Sequence, residues 1–471
     1  MIFSSLVFLC IFFPLVLLLH SILPSLRLKN GLLIIASLFF YAYGEPEYVL
    51  LMLASSVLNY AAARLVAPGR SHRKAFLAAG VAANLGLLVF FKYAAFLVET
   101  CNALCSLHLP VPDIPLPVGI SFFTFQALSY VIDVYQEKAD VQKSYPRVLL
   151  YISFFPQLVA GPIVKYRDIS AAIDGRTVDA EAIARGMRRF ICGLGKKVLI
   201  ANTAGLAADH VFLAAHGEVD MAAAWVGAIA YTLQIYYDFS GYSDMAIGLG
   251  RMFGFRFREN FQYPYGAVSV RDFWRRWHIS LSTWFREYLY IPLGGNREGQ
   301  VRTCVNLLIV FLCTGIWHGA NWTFVVWGLW HGLFLLLERL LPETKIPSFI
   351  TRIYTMLVVI AGWVVFRADT IGDGLFLISR MFSGISGAGI SNLALQQLTP
   401  WFLAMSAAGI IGMAPIRGLV SRIQEHDSDE TCVGGWKAVR AVTYVLSVLL
   451  LVWCMIRLSG STYNPFIYFR F

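Results

Sequence analysis

Charge is what this sequence lacks most. Asp, Glu, Lys and Arg make up 14% of its 471 residues, against roughly a quarter in soluble domains. Hydrophobic residues reach 58%, and mean hydropathy is +0.64. No polar stretch is long enough to fold as a separate soluble domain, so residues 1–471 are expected to form one membrane domain. Cysteine is sparse: of eight, Cys10, Cys192, Cys313 and Cys454 lie in apolar segments and read as small hydrophobes. Cys101 and Cys105 form a close pair without a histidine or second pair at ligand spacing, so no zinc site is expected. No carboxylate–histidine cluster with ligand spacing points to another metal. The net charge of +10 is not gathered in a soluble module, which argues against nucleic-acid binding. Lys and Arg retained on the cytoplasmic side are what membrane insertion selects.

Apolar runs near the ~20 residues needed to cross the hydrocarbon core recur throughout. They include Ile2–Leu19, Tyr48–Val66, Ala75–Val98, Val118–Tyr135, Thr323–Leu341, Met356–Phe366 with its flanks, and Val442–Ile456. Met1–Leu19 has no basic start, and no small-x-small cleavage site precedes the next run, so it reads as a membrane helix rather than a secretion signal. Arg27 and Lys29, then Arg64, Arg70, Arg73 and Lys74, then Lys138, Lys143 and Arg147 mark three cytoplasmic loops. The loops Glu45–Glu47 and Cys101–Pro117 carry no Lys or Arg and are expected to face outward, which puts the N-terminus outside. Leu149–Ile163 is apolar but short, contains Pro156, Gly161 and Pro162, and is basic on both flanks. That pattern predicts a re-entrant hairpin, a backbone form that survives in a membrane only inside protein or beside a wet cavity.

Three segments hold polar groups where lipid would reject them. In Ala222–Gly250, Tyr231, Gln234, Asp238 and Tyr242 share one helical face. Such a stripe either holds the bundle together or lines a cavity, and four residues on one face favour the cavity. Val270–Tyr290, read as one amphipathic helix, sets Phe273, Trp277, Leu281, Trp284 and Tyr288 on one side and Arg271, Arg275, His278, Ser282 and Arg286 on another. The arginines are either headgroup anchors or, beside a histidine, contacts for an anionic ligand such as a nucleotide phosphate. In Cys304–Leu341, the run Thr314–Trp322 interrupts two apolar stretches and places His318 at a Gly-rich break. His331 follows in a second Trp-His-Gly and reads as structural. An imidazole near neutrality can shuttle protons, which suits His318 to catalysis.

An acyl transfer would use these parts: a base at the acceptor, a donor site open to the cytoplasm, and an acceptor entry opposite. A polysaccharide transporter would also need intramembrane polar groups and broken helices, but the two halves show no repeat. A non-catalytic scaffold gives no reason for the settings of His278 and His318.

The strings FWRRWHISLSTWFREYLYIPLGGNR (Phe273–Arg297) and GIWHGANWTFVVWGLWHG (Gly315–Gly332) closely resemble the membrane-bound O-acyltransferase superfamily, in particular the branch containing the alginate O-acetyltransferase membrane subunit. Pro117–Tyr135, Phe154–Tyr166, Tyr236–Phe255 and Asn464–Phe471 match that branch too. The resemblance implies an all-α polytopic fold, a ring of roughly 11–12 transmembrane helices with re-entrant segments around a central tunnel. It puts the essential histidine at His318, and at His278 a second position that is Asn or His in relatives. Trp274, Trp277 and Asn321 would shape the tunnel, and Arg271, Arg275 and Arg286, with Asp238 and Gln234, would serve substrate binding. The implied donor is cytoplasmic acetyl-CoA, with no permanently bound cofactor. The implied acceptor is an extracytoplasmic polysaccharide, reached through a separate hydrolase-like subunit of the SGNH type, at a bacterial inner membrane. Teichoic-acid relatives transfer D-alanine from a carrier protein instead.

Overall fold

A computed structural model describes residues 1–341, 346–383, 391–414 and 434–467, with residues 434–440 described through their backbone alone. Every regular element among them is helical. Seven of the described helices are long and apolar enough to cross a membrane. Phe8–Ile22, Ile120–Tyr135 and Pro400–Gly412 are shorter apolar helices. The expected tally is reached only by adding these, Leu26–Ala42 and the buried Met221–Met252. Large aliphatic side chains such as Leu50, Ile35 and Ile411 remain exposed on the outside, as a lipid-facing surface requires.

The helices that position the site are labelled here in chain order. α1 (Arg73–Cys105) contains a π turn at Val89–Tyr93. α2 (Ile120–Tyr135) is buried along nearly its whole length. α3 (Tyr145–Ser153) and α4 (Phe155–Leu158) form the broken segment, Pro156 and Phe154 preventing one continuous helix. The two flanks of that segment meet: Gln142 donates to the Tyr166 hydroxyl at 2.9 Å, and Arg167 pairs at 3.2 Å with Asp133, near the end of α2. The chain therefore enters and returns, as the basic flanks predicted.

α5 (Ala180–Phe212) and α6 (Met221–Met252) pack backbone to backbone. A Cβ on Gly193 would lie 2.5 Å from the Gly241 carbonyl, and one on Gly248 would lie 2.5 Å from the Gly186 carbonyl. Small residues at this spacing are how helices associate where water supplies no hydrophobic drive. Asp179 and Asp220 cap the two helices through Ala182 N and Ala223 N.

Among the described residues the polar stripe of α6 is buried rather than open, which corrects the expectation of a lined cavity. The chain's own segment 463–467 covers it. Asp238 pairs with Lys197 at 2.7 Å and accepts from Ile467 N at 2.8 Å, and Lys197 also donates to Pro465 O. Phe466 packs on Tyr242, and Gln234 lies with the Tyr463 hydroxyl over Gly205. Residues 468–471 of the terminal motif lie outside the described residues.

Val270–Tyr290 is not one helix, a second correction. Ser269 caps α7 (Val270–Arg276) through Asp272 N. The chain then extends at Trp277 and turns left-handed at His278 (φ +43°) before α8 (Ile279–Phe285). α9 (Gly299–His318) and α10 (Trp322–Leu340) form a hairpin whose tight turn contains Gly319 and Asn321. α11 (Ser348–Arg367) packs against α10.

Candidate functional site

His278 owes its position to the break between α7 and α8. A left-handed backbone at a non-glycine residue costs free energy, and here it drives the imidazole into the interior, 1% exposed. Three donors converge on Asn260 Oδ1: Ser280 N at 3.0 Å, Ser280 Oγ at 2.9 Å and His278 Nδ1 at 3.2 Å. A backbone N–H can only donate, which identifies the asparagine atom as its oxygen. His278 therefore carries its proton on Nδ1, and Nε2 presents a lone pair. Nε2 is buried without a hydrogen-bond partner among the described residues. Ser280 Oγ also accepts from Ile163 N at 3.0 Å, tying the histidine to the broken segment.

His318 is the last residue of α9, before an extended Gly319. Its ring meets Trp327 at 5.1 Å and Phe366 at 5.2 Å, both edge to face. Trp317 bridges the two histidines, its ring centre 5.1 Å from His318 and 6.2 Å from His278. Gly315 and Gly328 let α9 and α10 close around the pair, since a Cβ on Gly315 would meet Phe324 O at 2.3 Å. His331 lies on the far side of Trp327, ring centres 5.2 Å apart, packed on Trp274 and fully buried.

Two cavities lie near these residues. The first, of about 80 Å³, is lined by Lys92, Pro117, Gly119, Ser121, Val159 and His318. It adjoins, through Val118 and Val159, a wider groove of about 500 Å³ beside Tyr43 and Glu45. The second, of about 70 Å³, is lined by Ile163, Lys165, Asp168, Arg256, Arg258 and Ser280. It opens at the basic end, where Arg258 pairs with Asp168 at 2.8 Å and Lys165 with Glu287 at 2.8 Å. Burial opposes the charge on Glu287, but hydrogen bonds from Lys165 and Arg167 hold its carboxyl below the ordinary range.

The sequence-predicted residues divide accordingly. His278, His318 and Trp317 come together, with Trp274 and Trp277 buried in the aromatic wall behind them. Arg271, Arg275 and Arg286 are exposed and do not share a face with the buried His278, because the helix that would have aligned them is broken. Asn321 caps α10 through Thr323 N at 3.0 Å and donates to Asp369 O, a turn-holding role. Asp238 holds the 463–467 segment, and Gln234 is buried beside Gly205. Sequence reasoning missed Asn260, Ser280 and Lys92. The signal for Lys92 was present, a lone charge inside Ala75–Val98.

The model of the membrane-bound O-acyltransferase family matches residues 120–366. The protein named Probable alginate O-acetylase AlgI of Pseudomonas putida is 39% identical over 494 residues, covering 100% of both chains. The Peptidoglycan O-acetyltransferase of Helicobacter pylori is 36% identical over 84% of this chain and 82% of its own. The Teichoic acid D-alanyltransferase of Bacillus subtilis is 26% identical over 48% of this chain and 60% of its own. This multi-pass protein is an acyltransferase and belongs to the membrane-bound O-acyltransferase family.

Proposed function

We propose that this protein moves an acetyl group from cytoplasmic acetyl-CoA toward O-acetylation of an extracytoplasmic polysaccharide, alginate or a similar exopolysaccharide or peptidoglycan, at a bacterial inner membrane. A separate hydrolase-like subunit outside the membrane would complete the transfer. The observation that carries the reading is a pair of cavities, one lined by Trp317 and His318 beside loops without Lys or Arg, the other lined by Ile279 and Ser280, next to His278 in the chain, at the basic end. Acetyl rather than D-alanyl is favoured because the relatives aligned along the whole chain carry O-acetylase names.

The thioester enters past Lys165, Arg256 and Arg258, whose charges suit the donor's phosphates. His318 takes the proton of an acceptor hydroxyl as its oxygen attacks the thioester carbonyl carbon. The tetrahedral adduct collapses by breaking the C–S bond, and the sulfur leaves with the proton returned by the imidazolium. His278, whose free Nε2 is a lone pair, orients the donor by accepting a hydrogen bond. A general base in the position of His318 usually contributes ~10²–10⁴ in rate. The full chain in nanodiscs, given acetyl-CoA labelled in its acetyl group, is expected to release CoA and labelled acetate, water standing in for the acceptor hydroxyl. His318→Ala is expected to insert and purify normally yet lose that activity, and normal turnover by a well-expressed His318→Ala would overturn the assignment.

A further inference from the structure

Lys92 is a charge within a membrane-spanning helix that the reaction proposed above does not use. An ammonium at that depth is tolerated when it is fully partnered. Its three N–H groups have three acceptors: the carbonyls of Trp317 at 2.8 Å and His318 at 3.0 Å, and Ser121 Oγ at 3.3 Å. Two of these belong to the end of α9, where the last carbonyls have no partner in their own helix. The next residue, Tyr93, donates its hydroxyl to a third, Ile316 O, at 2.6 Å. Consecutive residues of α1 thus cap the helix that ends in His318. They do so from the π turn Val89–Tyr93, a local widening of the helix of the kind that recurs at functional sites.

We propose that Lys92 is a positioning residue for His318. It fixes the backbone from which the imidazole projects and sets a cation at the negative end of the α9 dipole. With all three N–H groups engaged by protein, the ammonium has none left for a substrate. The proposal rests on His318 acting as the base.

The test measures CoA release from acetyl-CoA by the full chain in nanodiscs, over a range of donor concentration. Wild type, Lys92→Met, Lys92→Arg, His318→Ala and the double variant Lys92→Met/His318→Ala are compared, with melting followed separately. Lys92→Met is expected to lower kcat about a hundredfold with the donor KM within about twofold, the pattern of a group acting on the transition state rather than on binding. Lys92→Arg, which keeps the charge, is expected to recover at least about a tenth of wild-type kcat. The double variant is expected to be no slower than His318→Ala alone, because residues that act through one group are not additive. If Lys92→Met does not accumulate in membranes, Lys92→Gln, which keeps two N–H donors without the charge, takes its place. A folded Lys92 variant with wild-type kcat, a change confined to KM, or a further loss in the double variant overturns the proposal. Normal turnover by His318→Ala removes the base reading and this proposal together. Normal turnover by Lys92→Met beside an inactive His318→Ala removes this proposal alone.

Discussion

Replacing Asp238 with leucine isolates a charge that the fold has gone to some length to neutralise. Asp238 is 1% exposed and Lys197 4%, with the ammonium 2.7 Å from one carboxylate oxygen. The other oxygen accepts from Ile467 N at 2.8 Å, and Lys197 also donates to Pro465 O. Removing one partner of a buried pair costs ~3–5 kcal/mol because the other charge stays buried. The orphaned Ile467 N–H adds ~1–3 kcal/mol if it stays out of water. Asp238→Leu should therefore lose at least ~3 kcal/mol, and the cheapest relaxation is release of residues 463–467. Removing both charges in Lys197→Met/Asp238→Leu avoids the isolated ion, so the double variant should be more stable than Asp238→Leu. Unfolding in one detergent under identical conditions gives the ranking, and limited proteolysis reports exposure of the C-terminal segment. A double variant less stable than Asp238→Leu, or an Asp238→Leu protein within ~0.5 kcal/mol of wild type, would refute the reasoning.

Three other outcomes follow from the site. His278→Asn is expected to keep measurable acetyl transfer while His278→Leu loses it; equal activity in both would show that no hydrogen bond at this position matters. Arg256→Ala is expected to raise the acetyl-CoA KM several-fold, as a partly solvated charge-assisted contact would, whereas Arg271→Ala and Arg286→Ala should change it less than threefold; the reverse order would return the donor phosphates to the arginines of α7 and its neighbours. Single-cysteine variants at Lys143 and Asp174 should react with an impermeant thiol reagent from the same side, and labelling of one from outside intact cells and the other only after lysis would sink the re-entrant hairpin.

How far the sequence was legible depends on whether a feature is local. The basic flanks of Leu149–Ile163 and its prolines are local, and they predicted a hairpin that the Gln142–Tyr166 contact closes. The break after His318 was legible because Gly319 follows it directly. The face of Val270–Tyr290 was misread because the break at His278 depends on Asn260, eighteen residues away, which gathers the turn's donors. Nothing in a helical period reports that contact. The stripe on α6 was found, but its occupant, the segment 463–467, is more than two hundred residues distant and could not be read from periodicity.

In the proposed reaction the two histidines take different roles, and the setting of the His278 proton is the reason. At His278 the Asn260 oxygen is fixed by Ser280 N, so Nδ1 is the donor in its contact with that oxygen, and Nε2 is left buried without a hydrogen-bond partner among the described residues. A group whose proton is committed in this way accepts a hydrogen bond well, but it cannot donate to an oxyanion without first gaining a second proton. An asparagine at this position offers the same acceptor through its amide oxygen and no usable base. The function common to the two side chains is acceptance and orientation, and the proposed reaction accordingly gives proton transfer to His318. His318 is also the one of the two that lines the cavity away from the basic end, where an acceptor hydroxyl would arrive. Trp317 touches both rings, its centre 6.2 Å from His278 and 5.1 Å from His318. Orientation from one side and deprotonation from the other can then act on a single carbonyl carbon, which is what transfer across a membrane through one enclosed site requires.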